Sequence, residues 1–198
     1  EPIVYRTMIT LLLHTGLRRG ELCGLEWDDI NFDLSLLDVQ RTSLYLPEKG
    51  VFVDETKNNT SRRVLKLTPD AVQLLKRYRM WQNSERLRIG DRWAEEWEQH
   101  PRLFTTWDGK PLHPSTVTGW FHTFIERSDL PPISIHSLRH TNATLLIAAG
   151  TNVRTVSSHL GHAQTSTTMN IYSHSIKSAE AAAAEALQSV LTRKKKQA

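Results

Sequence analysis

Apolar positions along the chain follow two periods, and the switch between them lays out the elements. Residues 3–15 (IVYRTMITLLLHT) carry a helical pattern, and Gly16 stands where a left-handed cap ends a helix. Helix resumes over 18–26, with Leu22 and Leu25 spaced to face a core. Alternation then takes over. LLDVQ (36–40), VFVDE (51–55) and RVLKL (63–67) are short strand candidates separated by PEKG and KNNTS turns, and they predict a small three-stranded antiparallel sheet. Thr68-Pro69-Asp70 starts a helix, with Thr68 as cap and Pro69 in the first turn, and that helix is expected to run to about Leu87. Residues 88–113 read as irregular, with Trp93, Trp97, Trp107 and the turn Asp108-Gly109. Helices follow at 114–128, 137–149, 152–158 and 166–171, and an Ala-rich one at 175–191. The expectation is a mainly α domain with one small three-stranded antiparallel sheet (α+β) over residues 1–192, ending in a basic tail at 193–198.

Composition narrows the class. Hydrophobic residues make up 39% of the 198 and charged residues 23%, ordinary for a soluble globular protein. No stretch approaches the ~20 apolar residues of a membrane span, and no secretory signal opens the chain. The first residue is Glu1 and a helical pattern begins at once, which reads as a piece cut from a longer protein. A single cysteine, Cys23, cannot close an internal disulfide, which fits a reducing, cytoplasmic setting. Lys and Arg exceed Asp and Glu by 25 to 21, and their distribution says more than the +4 net charge. From Leu130 to Ala179 there is no Asp or Glu, while that stretch holds Arg139, Arg154, Lys177 and five of the nine histidines. Such a segment suits a surface that faces phosphate.

Four short segments carry candidate chemistry: TGLRRGEL (15–22), TKNNTSRR (56–63), HSLRH (136–140), and HLGH with IYSH (159–162 and 171–174). Arg18 follows a Thr-Gly-Leu turn at a helix start, and Arg139 falls in the first turn of a helix, two residues after a Ser137 cap. Helix N-termini favour anions and guanidinium forks bind phosphate in bidentate fashion, so both are phosphate candidates as well as candidates for surface ion pairs. Arg19 is expected to point to a different face. His136 and His162 lie just outside helices, and each is a polar residue or a phosphate ligand. A metal reading rests on His136 with His140, and on His159 near His162, but the neighbourhood lacks the carboxylate and thiolate partners that such sites usually recruit. Lys57 ends a strand and opens a polar turn, and Tyr172 by itself reads as a half-buried aromatic. There is no Gly-rich phosphate loop and no nucleophile elbow.

Taken in order, Arg…Lys…His-x-x-Arg…Leu-Gly-His…Tyr resembles the tyrosine recombinases, the phage-integrase family, and the likeness runs from Thr15 to Ser175 through TGLRRGEL, TKNNTSRR, HSLRHTNATLL and LGHAQTSTTMNIYSH. The resemblance implies the catalytic-domain fold of that family and a site-specific DNA recombinase that integrates or excises a mobile element. It makes Tyr172 the nucleophile, Arg18 and Arg139 the holders of the non-bridging phosphate oxygens, and Lys57 the general acid. His136 and His162 complete the pocket, His136 being the better candidate base. Glu21 becomes a residue that orients the site, and His140 a structural partner. Leu160-Gly161 directly precedes His162, so His162 is the match and His159 has no assigned role.

The chemistry explains the residue types. A phenol with pKa ~10 needs proton removal or cationic stabilisation to attack. The charge that develops on phosphate oxygens needs preorganised donors, and the leaving 5′ oxygen needs a proton. A 3′-phosphotyrosine keeps the energy of the broken bond, so no cofactor and no metal is expected. The implied partners are double-stranded DNA, a homotetramer on that DNA (weakly associating or monomeric without it), and accessory DNA-bending or directionality factors, with no membrane. The family's N-terminal core-binding domain is expected to lie outside this sequence. The stripe Ile176, Ala183, Leu187 and Val190 on 175–191 is expected to pack in cis or on a neighbour. The competing readings are a non-catalytic DNA-binding module and a metal-dependent nuclease, while a type IB topoisomerase shares the chemistry.

Overall fold

The computed structural model of the chain describes residues 2–55, 62–162 and 164–172. Helix α1 (Ile3–Thr15) ends at Gly16, whose φ of 61° is left-handed and whose N–H donates to Leu12 O at 3.0 Å. Helix α2 (Arg19–Gly24) is shorter than the sequence suggested, because Leu25 turns to extended backbone. Strands β1 (Ile30–Asn31), β2 (Leu36–Val39) and β5 (Arg63–Lys66) form a three-stranded antiparallel sheet in the order β1-β2-β5, with Leu37 opposite both Ile30 and Leu65. Strands β3 (Arg41–Leu46) and β4 (Gly50–Glu55) make a separate two-stranded hairpin, with Ser43 opposite Val53.

The sheet therefore has the expected number of strands but different members. VFVDE pairs with the segment just before its own turn, because closing the short Pro47–Lys49 loop costs far less chain entropy than reaching β2 or β5. The vacant place goes to β1, whose two residues are too few for alternation to register.

Helix α3 (Pro69–Ile89) starts as predicted, with Thr68 Oγ1 accepting from Ala71 N, and runs two residues past Leu87 to Gly90. After it come α4 (Pro114–Glu126), α5 (Ile135–Ala148), α6 (Val153–Leu160) and α7 (Thr165–Ile171). The predicted helix 175–191 and the tail 193–198 lie outside the described residues.

The chain divides into two compact units, Glu1–Asn142 and Ala143–Ala198. The core of the first gathers Met8, Leu11 and Leu12 of α1, Leu22 of α2, Leu37 of β2, Leu75 of α3 and the buried pair Leu103 and Phe104. Some polar groups inside it are paired across the core. Tyr78 Oη and Gln82 Nε2 both donate to Leu103 O (2.7 and 2.9 Å), and Trp27 Nε1 donates to Gln82 Oε1 (2.6 Å). Side chains thus take up backbone groups of a segment that has little regular structure, which is why 88–113 reads as irregular yet is packed.

Two glycines set the seat of the hairpin. A Cβ on Gly20 would lie 2.7 Å from Thr42 Cγ2 and 3.0 Å from Ser43 O, and one on Gly24 would lie 3.1 Å from Ser43 N, so α2 rests flush on β3. Gly109 has φ 83°, and a Cβ there would come within 2.5 Å of the Trp93 indole. Backbone strain and clash coincide at this position, so Gly109→Ala is expected to lower stability by about 2 kcal/mol. A urea or thermal melt reads this directly; a loss under ~0.5 kcal/mol, the range of neutral surface changes, would mean Trp93 has room to yield.

In the second unit, Ala143, Ile147, Val156, Leu160 and Tyr172 form one small buried cluster. Helix α6 opens with Asn152 Oδ1 accepting from Arg154 N (2.8 Å) and closes at Gly161, φ 66°.

Candidate functional site

Arg18 stands at the extended residue before α2, half-buried, and is held there by its own helix. Its N–H donates to Glu21 Oε2 and its Nη1 to Glu21 Oε1, each at 2.8 Å. Glu21 is 1% exposed, while 41% of the Arg18 side chain stays open to solvent. A second guanidinium grips the same carboxylate, with Arg63 Nη1 on Oε1 (3.1 Å) and Nη2 on Oε2 (2.9 Å). Burial pushes the Glu21 carboxyl up, but the hydrogen bonds and charges of Arg63 and Arg18 outweigh it and hold the group below its ordinary value. Glu21 is therefore an ionised, buried bridge between two arginines. Arg63 lies at the end of the TKNNTSRR segment, yet nothing in its strand position marked it for this contact. Arg19 points elsewhere, as expected, with Nη1 on Thr118 Oγ1 at 2.8 Å.

Arg139 is 3% exposed and donates from Nη1 to Gly16 O at 2.5 Å. One turn further along α5, Asn142 Nδ2 donates to Leu13 O at 2.8 Å. Both side chains satisfy carbonyls at the C-terminal end of α1 that the helix itself leaves without partners, and so they fix α5 against α1. The Arg139 backbone is placed differently from the sequence expectation. Helix α5 begins at Ile135, so Ser137 is inside it and Arg139 is beyond the first turn. Ser134 precedes the helix, and Ser137 Oγ accepts from Ser134 N at 3.2 Å; with a serine at both places, the sequence pattern alone fits either start.

The His136 and His140 rings meet edge to face, with centroids 4.8 Å apart. Burial, then the charges of His140, Arg139 and Arg18, lower the His136 pKa. His140, Arg139 and Arg18 thus lie within electrostatic reach of His136. His136 is expected to titrate below the ordinary histidine value of ~6.5, so that neutral imidazole dominates at pH 7. Since the folded-state value is the lower one, this group's stabilising share is present above the unfolded pKa and is lost as pH falls through the folded pKa. Nuclear magnetic resonance of the ring protons against pH would show it; a midpoint at or above the ordinary value would contradict the placement. A cavity of about 880 Å³ opens beside these groups, lined by Arg18, His136 and the apolar Phe121, Ile125 and Ile133.

In the second unit, His162 follows Gly161 and is half-buried. Its Nδ1 shares a 2.8 Å hydrogen bond with Thr168 Oγ1, and its N–H donates to Ser157 O at 3.0 Å. Tyr172 sits one residue past α7, donates its N–H to Thr168 O at 3.0 Å and is 5% exposed, more buried than its sequence position suggested. Thr168, fully buried, therefore touches both residues, through its hydroxyl and its carbonyl. Sequence reasoning missed it, although its place four residues before Tyr172 is one helical turn away. His140 and His159 are half-buried. Lys57 lies outside the described residues; β4 ends at Glu55 and β5 begins at Arg63.

The family model described as the phage integrase family matches residues 1–179. A tyrosine recombinase XerC-like protein of Caldanaerobacter subterraneus subsp. tengcongensis is 34% identical over 190 residues, covering 92% of this chain and 48% of the relative. The ICEBs1 integrase of Bacillus subtilis is 29% identical over 174 residues, covering 88% and 46%. Among solved structures, that of the Tn1549 transposon integrase in complex with transposon right end DNA superposes with a TM-score of 0.76 at 25% identity, over 92% of this chain and 58% of that one. The chain spans about half the length of the curated relatives it matches.

Proposed function

Because this chain belongs to the phage integrase family, we propose that it carries the catalytic machinery of a tyrosine-type site-specific recombinase, one that cuts and rejoins DNA for the integration or excision of a mobile element. The observation that carries the reading is that Arg18 and Arg139, from opposite ends of the first unit, both act on His136, with Arg18 and His136 lining one cavity. Two guanidiniums and a neutral imidazole suit a phosphodiester anion, and the approach of Arg18 is preset by a carboxylate already ionised and buried.

In this reading the Tyr172 Oη attacks the scissile phosphorus. His136 takes the phenolic proton, and the bond from phosphorus to the 5′ oxygen breaks as Lys57 gives that oxygen a proton. Arg18, Arg139 and His162 hold the charge that builds on the non-bridging oxygens. Each such donor is typically worth about 10²–10³ in rate. The products are a 3′-phosphotyrosine and a 5′-hydroxyl, and attack by a new 5′-hydroxyl runs the steps in reverse. His140 packs on His136, and Glu21 orients Arg18.

Double-stranded DNA is the proposed partner, in line with the Tn1549 integrase structure in complex with transposon right end DNA. Strand exchange between two duplexes asks for four protomers on DNA, with accessory DNA-bending or directionality factors. Among the described residues no helix is long and apolar enough to cross a membrane, and a DNA substrate points to the cytoplasm.

Covalent capture tests the reading. The full-length gene product is incubated in EDTA with nicked duplexes from the ends of the element that carries the gene. An SDS-resistant protein–DNA band is expected. Binding without any such band on any of these duplexes would favour a DNA-binding module instead, and cleavage that EDTA stops would favour a metal-dependent nuclease.

A further inference from the structure

Two arginines close the TKNNTSRR segment, and the fold treats them differently. Arg62 is exposed and donates from Nη2 to Gln40 Oε1 at 3.0 Å. The Arg63 side chain is only 6% exposed and spends its fork on both oxygens of Glu21. Glu21 holds Arg18 by its N–H and by Nη1. A continuous chain of charge-assisted hydrogen bonds thus runs from the first residue of β5 to the arginine in front of α2.

We propose that Arg63 is a positioning residue for DNA strand cleavage, fixing Glu21 so that Arg18 is aimed at the scissile phosphate. The inference rests on the recombinase reading above and adds to it a residue to which that reading gives no role.

Two physical arguments support it. The first is geometry: a planar fork with two parallel N–H groups fixes both the position and the tilt of a carboxylate, which a single contact does not. Glu21 must be fixed in this way to serve Arg18 with two oxygens at once. The second is charge. A lone carboxylate paired with Arg18 would cancel the cation that the phosphate needs. With Arg63 present the triad is net positive, and Arg18 keeps its pull on an anion. Among the described residues, the charged groups that act on Glu21 are Arg63 from β5 and Arg18 from the start of α2. Removing Arg63 leaves burial, which raises the Glu21 pKa, opposed by Arg18 alone, so the carboxyl takes up a proton closer to neutrality.

The test uses the full-length gene product and single-turnover formation of the covalent adduct on nicked duplexes at saturating DNA, followed from pH 5.5 to 8.5. Four proteins are compared: wild type, Arg63→Gln, Arg63→Lys and Arg62→Ala. Arg63→Gln is expected to slow cleavage by about 10² while duplex affinity stays within threefold, and to move the acidic limb of the pH–rate profile upward. Arg63→Lys restores a charge but not a fork, so its acidic limb is expected to return towards wild type while its rate stays at least tenfold low. Arg62→Ala removes the same charge from the neighbouring exposed position and is expected to cleave within twofold of wild type. Folded Arg63 variants that cleave at the wild-type rate, or that lose rate with no change in the pH profile, would overturn the proposal. If Arg63→Gln does not fold, Arg63→Lys decides: at least tenfold slower cleavage at unchanged affinity supports the role, and the wild-type rate refutes it. A wild type that forms no adduct fails the recombinase reading itself, a result distinct from an active wild type with equally active Arg63 variants.

Discussion

Tyr172→Phe is expected to abolish the SDS-resistant adduct of the full-length gene product and to leave duplex binding within about twofold. The substitution removes one oxygen and nothing else. The ring stays in the cluster of Ala143, Ile147, Val156 and Leu160, so packing is retained and the stability change should be within ~1.5 kcal/mol, the range of a single hydrogen bond. What is lost is the nucleophile, and Tyr78, Tyr5 and Cys23 are poorly placed to stand in for it. Tyr78 is 1% exposed, gives its hydroxyl to Leu103 O and has its phenol pushed far up by burial. Tyr5 lies stacked on Trp120 with ring centroids 4.0 Å apart. Cys23, the one thiol, is buried and held up at about 12. Capture gels of wild type and variant side by side, with a melt to verify folding, decide the matter. An adduct that survives in the phenylalanine variant would place the covalent bond on another residue and remove the central step of the proposed mechanism.

Glu21→Ala is expected to be the most destabilising change at the site, by about 3–5 kcal/mol. Three donors lose their acceptor together: the Arg18 N–H, the Arg18 guanidinium and the buried Arg63 fork. The Arg63 charge, with 6% of its side chain exposed, has little water to turn to. Against a typical total of ~5–15 kcal/mol, such a loss consumes a large part of the folding free energy. The effect has a pH signature. The Glu21 pKa is lower folded than unfolded, so its contribution is present above the unfolded value and is lost as pH falls through the folded one. The gap between wild type and variant should therefore narrow on acidification. Urea melts at neutral and acidic pH measure both quantities. A loss below ~1 kcal/mol at pH 7 would mean that Arg63 finds another acceptor.

The elements written in local chemistry were legible in the sequence. Gly16 closes α1, and Thr68-Pro69 opens α3, because capping is decided within a few residues. The membership of the sheet was not legible, because β1 has only two residues and because VFVDE could alternate equally well in either sheet. The start of α5 was misplaced where two serines three residues apart offered the same signal. At the site, the order of residue types gave the candidates, but their supports are long-range. Arg63 meets Glu21 across 42 positions and Arg139 meets Gly16 across 123, distances over which no periodicity speaks. Thr168 was missed for a different reason, since a threonine inside a short polar helix looks like any solvated one until His162 is seen against it.

The depth of the Glu21–Arg63 pair has a consequence for how dissolved salt acts on this protein. Ions screen exposed charges over a Debye length of about 8 Å at physiological strength, and they weaken the pull of any basic surface on a phosphate backbone. They do not reach a carboxylate that is 1% exposed and clamped by a fork sealed beside it. Ionic strength therefore governs how often a duplex arrives, while the aim of the arginine that would receive it is set in the interior, out of reach of dissolved salt.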